Sequence, residues 1–173
     1  EILVWGPMHA SLTQNLARDF TVHNRWEIAD LDAWAAENGD KIRGVVTSGV
    51  MGTDNTLLER LPNLEVISSF GVGYDAVDTD YIASRGIKLS NTPDVLNNAV
   101  ADTALALLLC VSRKVSQAER FVRAGQWISG KFPLGRDLTG KTCGIVGLGK
   151  IGKTIAKRAA AFDMNIAYFR RGQ

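Results

Sequence analysis

Histidine, cysteine and proline are all scarce, at two, two and four in 173 residues. Cys110 and Cys143 lie in apolar segments without metal-ligand spacing, and neither His9 nor His23 is near them in sequence. The pattern argues against a zinc site and predicts two buried thiols in a reducing, cytoplasmic setting. Long apolar runs are missing too. The longest, Ala104 to Val111, has eight residues, against the roughly 20 that span a bilayer, so no membrane association is expected. The opening "EILVWG" has neither the basic n-region nor the long apolar h-region of a secretory signal. Low-complexity stretches are absent. A 46% hydrophobic content excludes disorder and suits one domain, or one domain and part of another.

Charge is unevenly spread. Residues 1–140 carry 13 Lys and Arg against 17 Asp and Glu. Residues 141–173 carry seven basic residues and one acid, Asp163. A local field of that sign favours an anionic ligand, either nucleic acid or a phosphate-rich cofactor. The basic segment lacks a helix-turn-helix pattern and interleaved aromatics, so no nucleic-acid partner is expected.

Up to residue 92, short β-rich runs alternate with helical ones. Strands are expected at 2–6, 21–26, 42–49, 64–71 and 87–92. Helices are expected at 11–20, 31–39, 54–61 and 78–86, with Asp30 and Thr53 or Asp54 as caps. Five strands with short intervening helices predict an α/β fold, a parallel doubly wound sheet, over a first domain of residues 1–96. Apolar residues Val100, Ala104, Leu108, Val111, Val115, Ala118 and Val122 then recur at steps of three and four. That spacing predicts one long helix over 97–124, ended by Gly125, with a Gly-rich linker after it to about residue 140. At Lys141 a second alternation begins: strand 142–147, helix 150–162, strand 165–169. A βαβ unit of this size does not bury a core alone, so residues 141–173 are expected to open a larger domain.

"GLGKIG" places Gly147, Gly149 and Gly152 as G-x-G-x-x-G between an apolar strand and an amphipathic helix. Gly147 permits the tight turn, Gly149 lets backbone approach a pyrophosphate, and Gly152 lets helix and strand pack closely. The helix N-terminus aims N–H groups at the phosphates. About twenty residues on, where NAD sites place a carboxylate for the ribose 2′-hydroxyl, stand Arg170 and Arg171. A guanidinium pairs with a 2′-phosphate that a carboxylate would repel, so NADP(H) is expected rather than NAD(H). Two further glycine-bearing turns, 47–54 and 70–78, follow strands where doubly wound folds bind ligands. Asp75 and Asp78 read as turn and cap residues. His9 and His23 have no acidic partner at a telling spacing and are assigned no role.

In order, "SSFGVGYDAVD", "GIKLSNTPDVLNNAVADTALALLLCVSR", "RAGQW" and "LTGKTCGIVGLGKIG" resemble the D-2-hydroxyacid dehydrogenases, most nearly the branch of glyoxylate/hydroxypyruvate and hydroxyphenylpyruvate reductases. The likeness is good over residues 42–173 and loose before them. It implies a flavodoxin-like substrate domain, completed by a C-terminal helix, and a Rossmann cofactor domain, with the active site in the cleft. It implies that Gly49, Val50, Met51 and Gly52 hold a substrate carboxylate through backbone N–H groups. Gly71, Val72 and Gly73 would contact the carboxylate and the nicotinamide. Thr103 would touch the cofactor, and Leu148, Gly149, Lys150 and Ile151 would form the phosphate loop. Residues 97–140 would make a homodimer contact. The Thr47-Ser48 pair replaces the Arg-Ser of the phosphoglycerate branch, which disfavours a phosphorylated substrate, and Asp102 stands where many members have Glu. The family's catalytic Arg, Glu and His correspond to positions beyond residue 173, so no catalytic residue is expected within this chain and the chain alone is not expected to turn over. The implied activity is reduction of a small 2-oxo acid (glyoxylate, hydroxypyruvate or an aryl pyruvate) to the D-2-hydroxy acid with NADPH. Two alternatives stay open: a non-catalytic NADP(H)-sensing protein of the same fold, and an NAD-dependent formate dehydrogenase-like enzyme.

Overall fold

A computed structural model of the chain describes residues 1–171. The backbone divides into two compact units, Glu1–Pro93 and Asp94–Gln173. The first contains β1 (Ile2–Val4), α1 (Ala10–Asp19), β2 (Val22–Asn24), α2 (Leu31–Asn38), β3 (Gly44–Ser48), α3 (Asn55–Leu58), β4 (Val66–Phe70), α4 (Thr79–Ser84) and β5 (Lys88–Ser90). The five strands are all parallel, in the order β2-β1-β3-β4-β5. The sheet is therefore of the α/β, doubly wound kind.

Local chemistry sets where the helices start. The Asp30 carboxylate accepts from the N–H groups of Asp32 and Ala33, Asp54 from Thr56, and Asp78 from Tyr81. Each satisfies donors that the first helical turn leaves without a partner. Gly86, the residue after the α4 C-cap Arg85, takes φ +71.

Strand β4 shows the alternation expected of a pleated strand. Ile67 and Ser69 are buried, while Val66, Ser68 and Phe70 are exposed. The buried face packs Leu3, Val45 and Ile67 with Leu57, Leu58, Leu61 and Ile82. On the other face Leu12 and Leu16 of α1, with Phe20 just past its end, border a groove of about 660 Å³ that also exposes Val66 and Phe70.

The second unit holds α5 (Asn97–Ser112), α6 (Val115–Arg123), β6 (Thr142–Val146), α7 (Lys150–Ala160) and β7 (Asn165–Phe169), the two strands pairing in parallel. The single helix expected over 97–124 is two helices. The chain turns at Lys114, which takes the left-handed conformation at φ 57. The apolar stripe continues on both sides of the break, so spacing alone does not reveal it. Residues 126–141 are fastened to this unit. The Arg136 N–H donates to the Ser112 carbonyl at 2.7 Å, and Leu138 joins Leu105, Ala159 and Met164 in a small core. Arg158 of α7 ties back to α5 through Asp102 at 2.5 Å and Asn98 at 3.2 Å. Both cysteines are free, and they are half-buried rather than buried as expected. Among the described residues no helix is long and apolar enough to cross a membrane.

Candidate functional sites in the two units

In the first unit the strand order changes direction between β1 and β3, and in sheets of this order ligands bind outside the carboxyl ends of the strands at that point. The loops leaving β1 and β3 meet there, with the Met51 thioether lying over Gly6. The β3 loop is a tight turn. The Gly52 N–H donates to the Ser48 carbonyl at 3.0 Å, and the buried Thr47 hydroxyl donates to the Gly52 carbonyl at 2.5 Å. Gly52 holds φ +62, a region glycine enters without steric cost. Val50, at the tip, is 93% exposed.

The loop leaving β4 lies directly against this turn, backbone on backbone. A Cβ on Gly49 would overlap the Gly73 carbonyl, and one on Gly52 would overlap that of Ala76. The Thr53 N–H donates to the Ala76 carbonyl at 3.2 Å. Gly71 takes φ +140. Three bonds from the segment after β5 fix its turn. The Thr92 N–H donates to the Gly71 carbonyl at 2.8 Å, the Gly71 N–H donates to the Thr92 hydroxyl at 3.0 Å, and the Asn91 amide donates to the Val72 carbonyl at 2.8 Å. Among the described residues none accepts from the N–H groups of Val50, Val72 or Gly73. Gly49, Val50, Met51 and Gly52 thus stand together with Gly71, Val72 and Gly73 at the carboxyl ends of the neighbouring strands β3 and β4. Backbone donors in such turns make anion-binding concavities.

In the second unit Gly147, at φ +95, makes the turn from β6 into α7, and its N–H donates to the Phe169 carbonyl at 2.8 Å. Gly152 lies so close beneath that a Cβ would overlap the Gly147 carbonyl. Gly149 is the N-cap of α7, with nothing within 4 Å of a Cβ built on it. The first turn of α7 holds Lys150 and Ile151, and Leu148 is half-buried beside them. Close packing at Gly152 and open space at Gly149 fit a dinucleotide whose pyrophosphate approaches the helix N-terminus. The Lys150 ammonium is held at 2.5 Å by the Asp94 carboxylate, and that bond, with a second from Asn97, keeps the Asp94 pKa below its ordinary value. Arg170 and Arg171 follow β7 directly. Because Phe169 pairs with Val146 and bonds Gly147, the arginines leave the sheet beside the glycine turn. Thr103 lies on an exposed face of α5 next to Ala99, Val100 and Leu107, its hydroxyl donating to the Ala99 carbonyl at 2.9 Å.

Both histidines bond to groups outside the two glycine loops of the first unit. His9 caps α1 through Nδ1. His23 does have an acidic partner: its Nε2 lies 2.6 Å from a Glu1 carboxylate oxygen, while the Trp34 indole N–H donates to its Nδ1 at 3.3 Å. That pair joins neighbouring strands and was hidden by 22 residues of separation. Asp78 caps α4, and Asp75 lies exposed in the turn before it. Asn91 and Thr92 escaped the sequence reading. Their signal was a polar Asn-Thr pair before Pro93, which biases residue 92 to extended backbone.

Residues 105–173 match the family model for the NAD binding domain of D-isomer specific 2-hydroxyacid dehydrogenases. Over 98% of its length the chain is 40% identical to glyoxylate/hydroxypyruvate reductase A of Arabidopsis thaliana, covering 54% of that protein. It is 40% identical over 99% of its length to hydroxyphenylpyruvate reductase of Plectranthus scutellarioides, covering 55%. Among solved structures, 2-hydroxyacid dehydrogenase from Ketogulonicigenium vulgare superposes with a TM-score of 0.92 at 46% identity, over 96% of this chain and 53% of that one. An NADPH-dependent glyoxylate/hydroxypyruvate reductase from Sinorhizobium meliloti, in complex with NADP and malonate, superposes with a TM-score of 0.86 at 40% identity, over 99% and 53%. The chain spans about half the length of these relatives.

Proposed function

Since the chain belongs to the D-2-hydroxyacid dehydrogenase family, we propose that the protein it represents reduces a small 2-oxo acid to the 2-hydroxy acid with NADPH. The substrate class is glyoxylate, hydroxypyruvate or an aryl pyruvate. The observation that carries the reading is the bond from Gly147 to Phe169, which sets two arginines beside the dinucleotide turn.

In this reading the 147–152 turn and the start of α7 bind the pyrophosphate. Arg171, with Arg170, pairs with the 2′-phosphate, where a carboxylate would select against it. The bound dinucleotide supplies the hydride that reduces the keto carbon. The N–H groups of Val50, Val72 and Gly73, within the turns 49–52 and 71–73, hold the substrate carboxylate, which orients that carbon before reaction. Neither histidine is assigned the proton transfer. His9 is engaged as a helix cap, and the Trp34 contact holds His23 Nδ1 as an acceptor. A homodimer in the cytoplasm completes the proposal. Exposed Val111, Val115, Val122, Trp127 and Ile128 offer the second unit an apolar surface for self-association.

The test uses the full-length protein with hydroxypyruvate and glyoxylate, following nicotinamide absorbance with NADPH and NADH in parallel. NADPH is expected to be consumed faster. Replacing Arg170 and Arg171 by alanine should remove that preference and spare the NADH rate. Equal rates with both cofactors would refute the arginine assignment, and no consumption with any 2-oxo acid would refute the reductase reading.

A further inference from the structure

The turn at Gly71–Gly73 has one long bond within its own loop, from the Ser69 hydroxyl to the Gly73 carbonyl at 3.5 Å. Its two central peptide planes are gripped from outside by consecutive residues of another segment. A peptide unit is planar, so its C=O and N–H point in opposite directions. Anchoring the Gly71 carbonyl on the Thr92 N–H at 2.8 Å therefore sets the direction of the Val72 N–H. Anchoring the Val72 carbonyl on the Asn91 amide at 2.8 Å sets that of the Gly73 N–H. The Thr92 hydroxyl takes up the Gly71 N–H at 3.0 Å and leaves the next two donors without a partner among the described residues.

We propose that Asn91 and Thr92 are positioning residues, which aim the Val72 and Gly73 N–H groups at the substrate carboxylate by gripping the carbonyls behind them. The proposal rests on the reductase reading only for the identity of the anion. Neither residue needs to touch substrate. Asn91 is half-buried, and among the described residues its amide is the one side-chain donor to the Val72 carbonyl. Glycine at 71 and 73 leaves two of the turn's three residues few steric preferences of their own, so an external grip matters more here than in a turn fixed by proline. Pro93 adds to it by favouring extended backbone at Thr92, whose N–H and hydroxyl both bond Gly71.

The test compares Asn91→Ala and Asn91→Asp in the full-length protein. Losing one oriented donor is expected to lower kcat/KM for the 2-oxo acid about tenfold in Asn91→Ala, with KM for NADPH unchanged. In Asn91→Asp an ionised carboxylate faces a carbonyl and repels it, whereas the protonated acid donates to it. The activity of this variant relative to wild type should rise as pH falls from 8 to 5, while the Asn91→Ala ratio stays flat. A merely structural role would not produce that difference. Calorimetric titration with oxalate reads the turn without turnover, and Asn91→Ala should bind it about tenfold more weakly. If wild type reduces no 2-oxo acid but binds oxalate, and Asn91→Ala binds it more weakly, the reductase reading fails and the positioning role stands. Equal oxalate affinity in both proteins, no oxalate binding by wild type, or a flat pH ratio for Asn91→Asp overturns the positioning role.

Discussion

Gly49 and Gly73 touch through bare backbone, although they leave different strands. A Cβ built on Gly49 would lie 3.0 Å from the Gly73 carbonyl carbon and nearer still to its oxygen, whereas one on Gly73 would meet nothing closer than an Asp75 carboxylate oxygen at 3.5 Å. The two turns are therefore one layer, and the constraint between them runs one way.

That asymmetry predicts unequal alanine variants. Gly49→Ala must push the two loops apart, at about 1–3 kcal/mol of stability. It should also weaken binding of a carboxylate, since both donor sets move. Gly73→Ala should leave the melting temperature close to wild type. Thermal unfolding with oxalate titration on both variants checks this, and equal losses would show that the loops are not in contact.

Asp78 predicts a pH dependence. Its carboxylate accepts from the Tyr81 N–H, the larger cause, and from the Asn55 amide, and both hold its pKa below the ordinary aspartate value. A depressed folded-state pKa stabilises fully above the unfolded value of about 3.9 and is lost as pH falls through the folded value. Asp78→Ala should therefore melt lower than wild type at pH 7, and the gap should narrow once the pH drops below 4. A constant gap down to pH 2 would locate the contribution in packing rather than in the charged cap.

Lys114 predicts a gain. It is a non-glycine residue at φ 57 and ψ 37, between α5 and α6. The left-handed conformation costs an L-residue roughly 1–2 kcal/mol, and glycine's extra freedom in the unfolded chain returns part of that. Lys114→Gly should raise stability by about 0.5–1 kcal/mol, and Lys114→Val should lower it. Denaturant midpoints at unchanged slope are the measurement. A drop with glycine would mean that the lysine stem contributes packing that outweighs the strain.

The parts of this chain legible in its sequence are those governed by neighbours along it. Asp30, Asp54 and Asp78 announce helix starts because a cap acts two or three residues ahead. Strand existence followed from apolar runs between helices, and the sheet's parallel class followed from the alternation itself. What escaped depends on distance. Glu1 and His23 meet because β1 and β2 pair side by side. The break at Lys114 carries neither glycine nor proline, so nothing local signals it. The hold of Asn91 on Val72 spans 19 residues and joins two loops that were read separately. A pattern of single residues can name a turn, but the partner that orients it comes from the sheet.

The glycine turn of the second unit offers the sharpest separation of fold from ligand. Gly152 has no space, because a Cβ would overlap the Gly147 carbonyl and lie 3.4 Å from Ile145 Cγ2, whereas Gly149 faces open space at φ −78. Gly152→Ala should thus lift α7 from β6 and lower the melting temperature. Gly149→Ala adopts its native backbone without strain but puts alanine at an N-cap, where glycine is preferred, and should lower that temperature by no more than about 4 °C, for about 1 kcal/mol. Its methyl would stand where a pyrophosphate must approach the helix N-terminus, so NADPH affinity should fall at least tenfold. Fluorescence titration with NADPH alongside thermal unfolding separates the two. If Gly149→Ala binds NADPH as wild type does, the dinucleotide does not approach the N-terminus of α7, whatever the stability of Gly152→Ala.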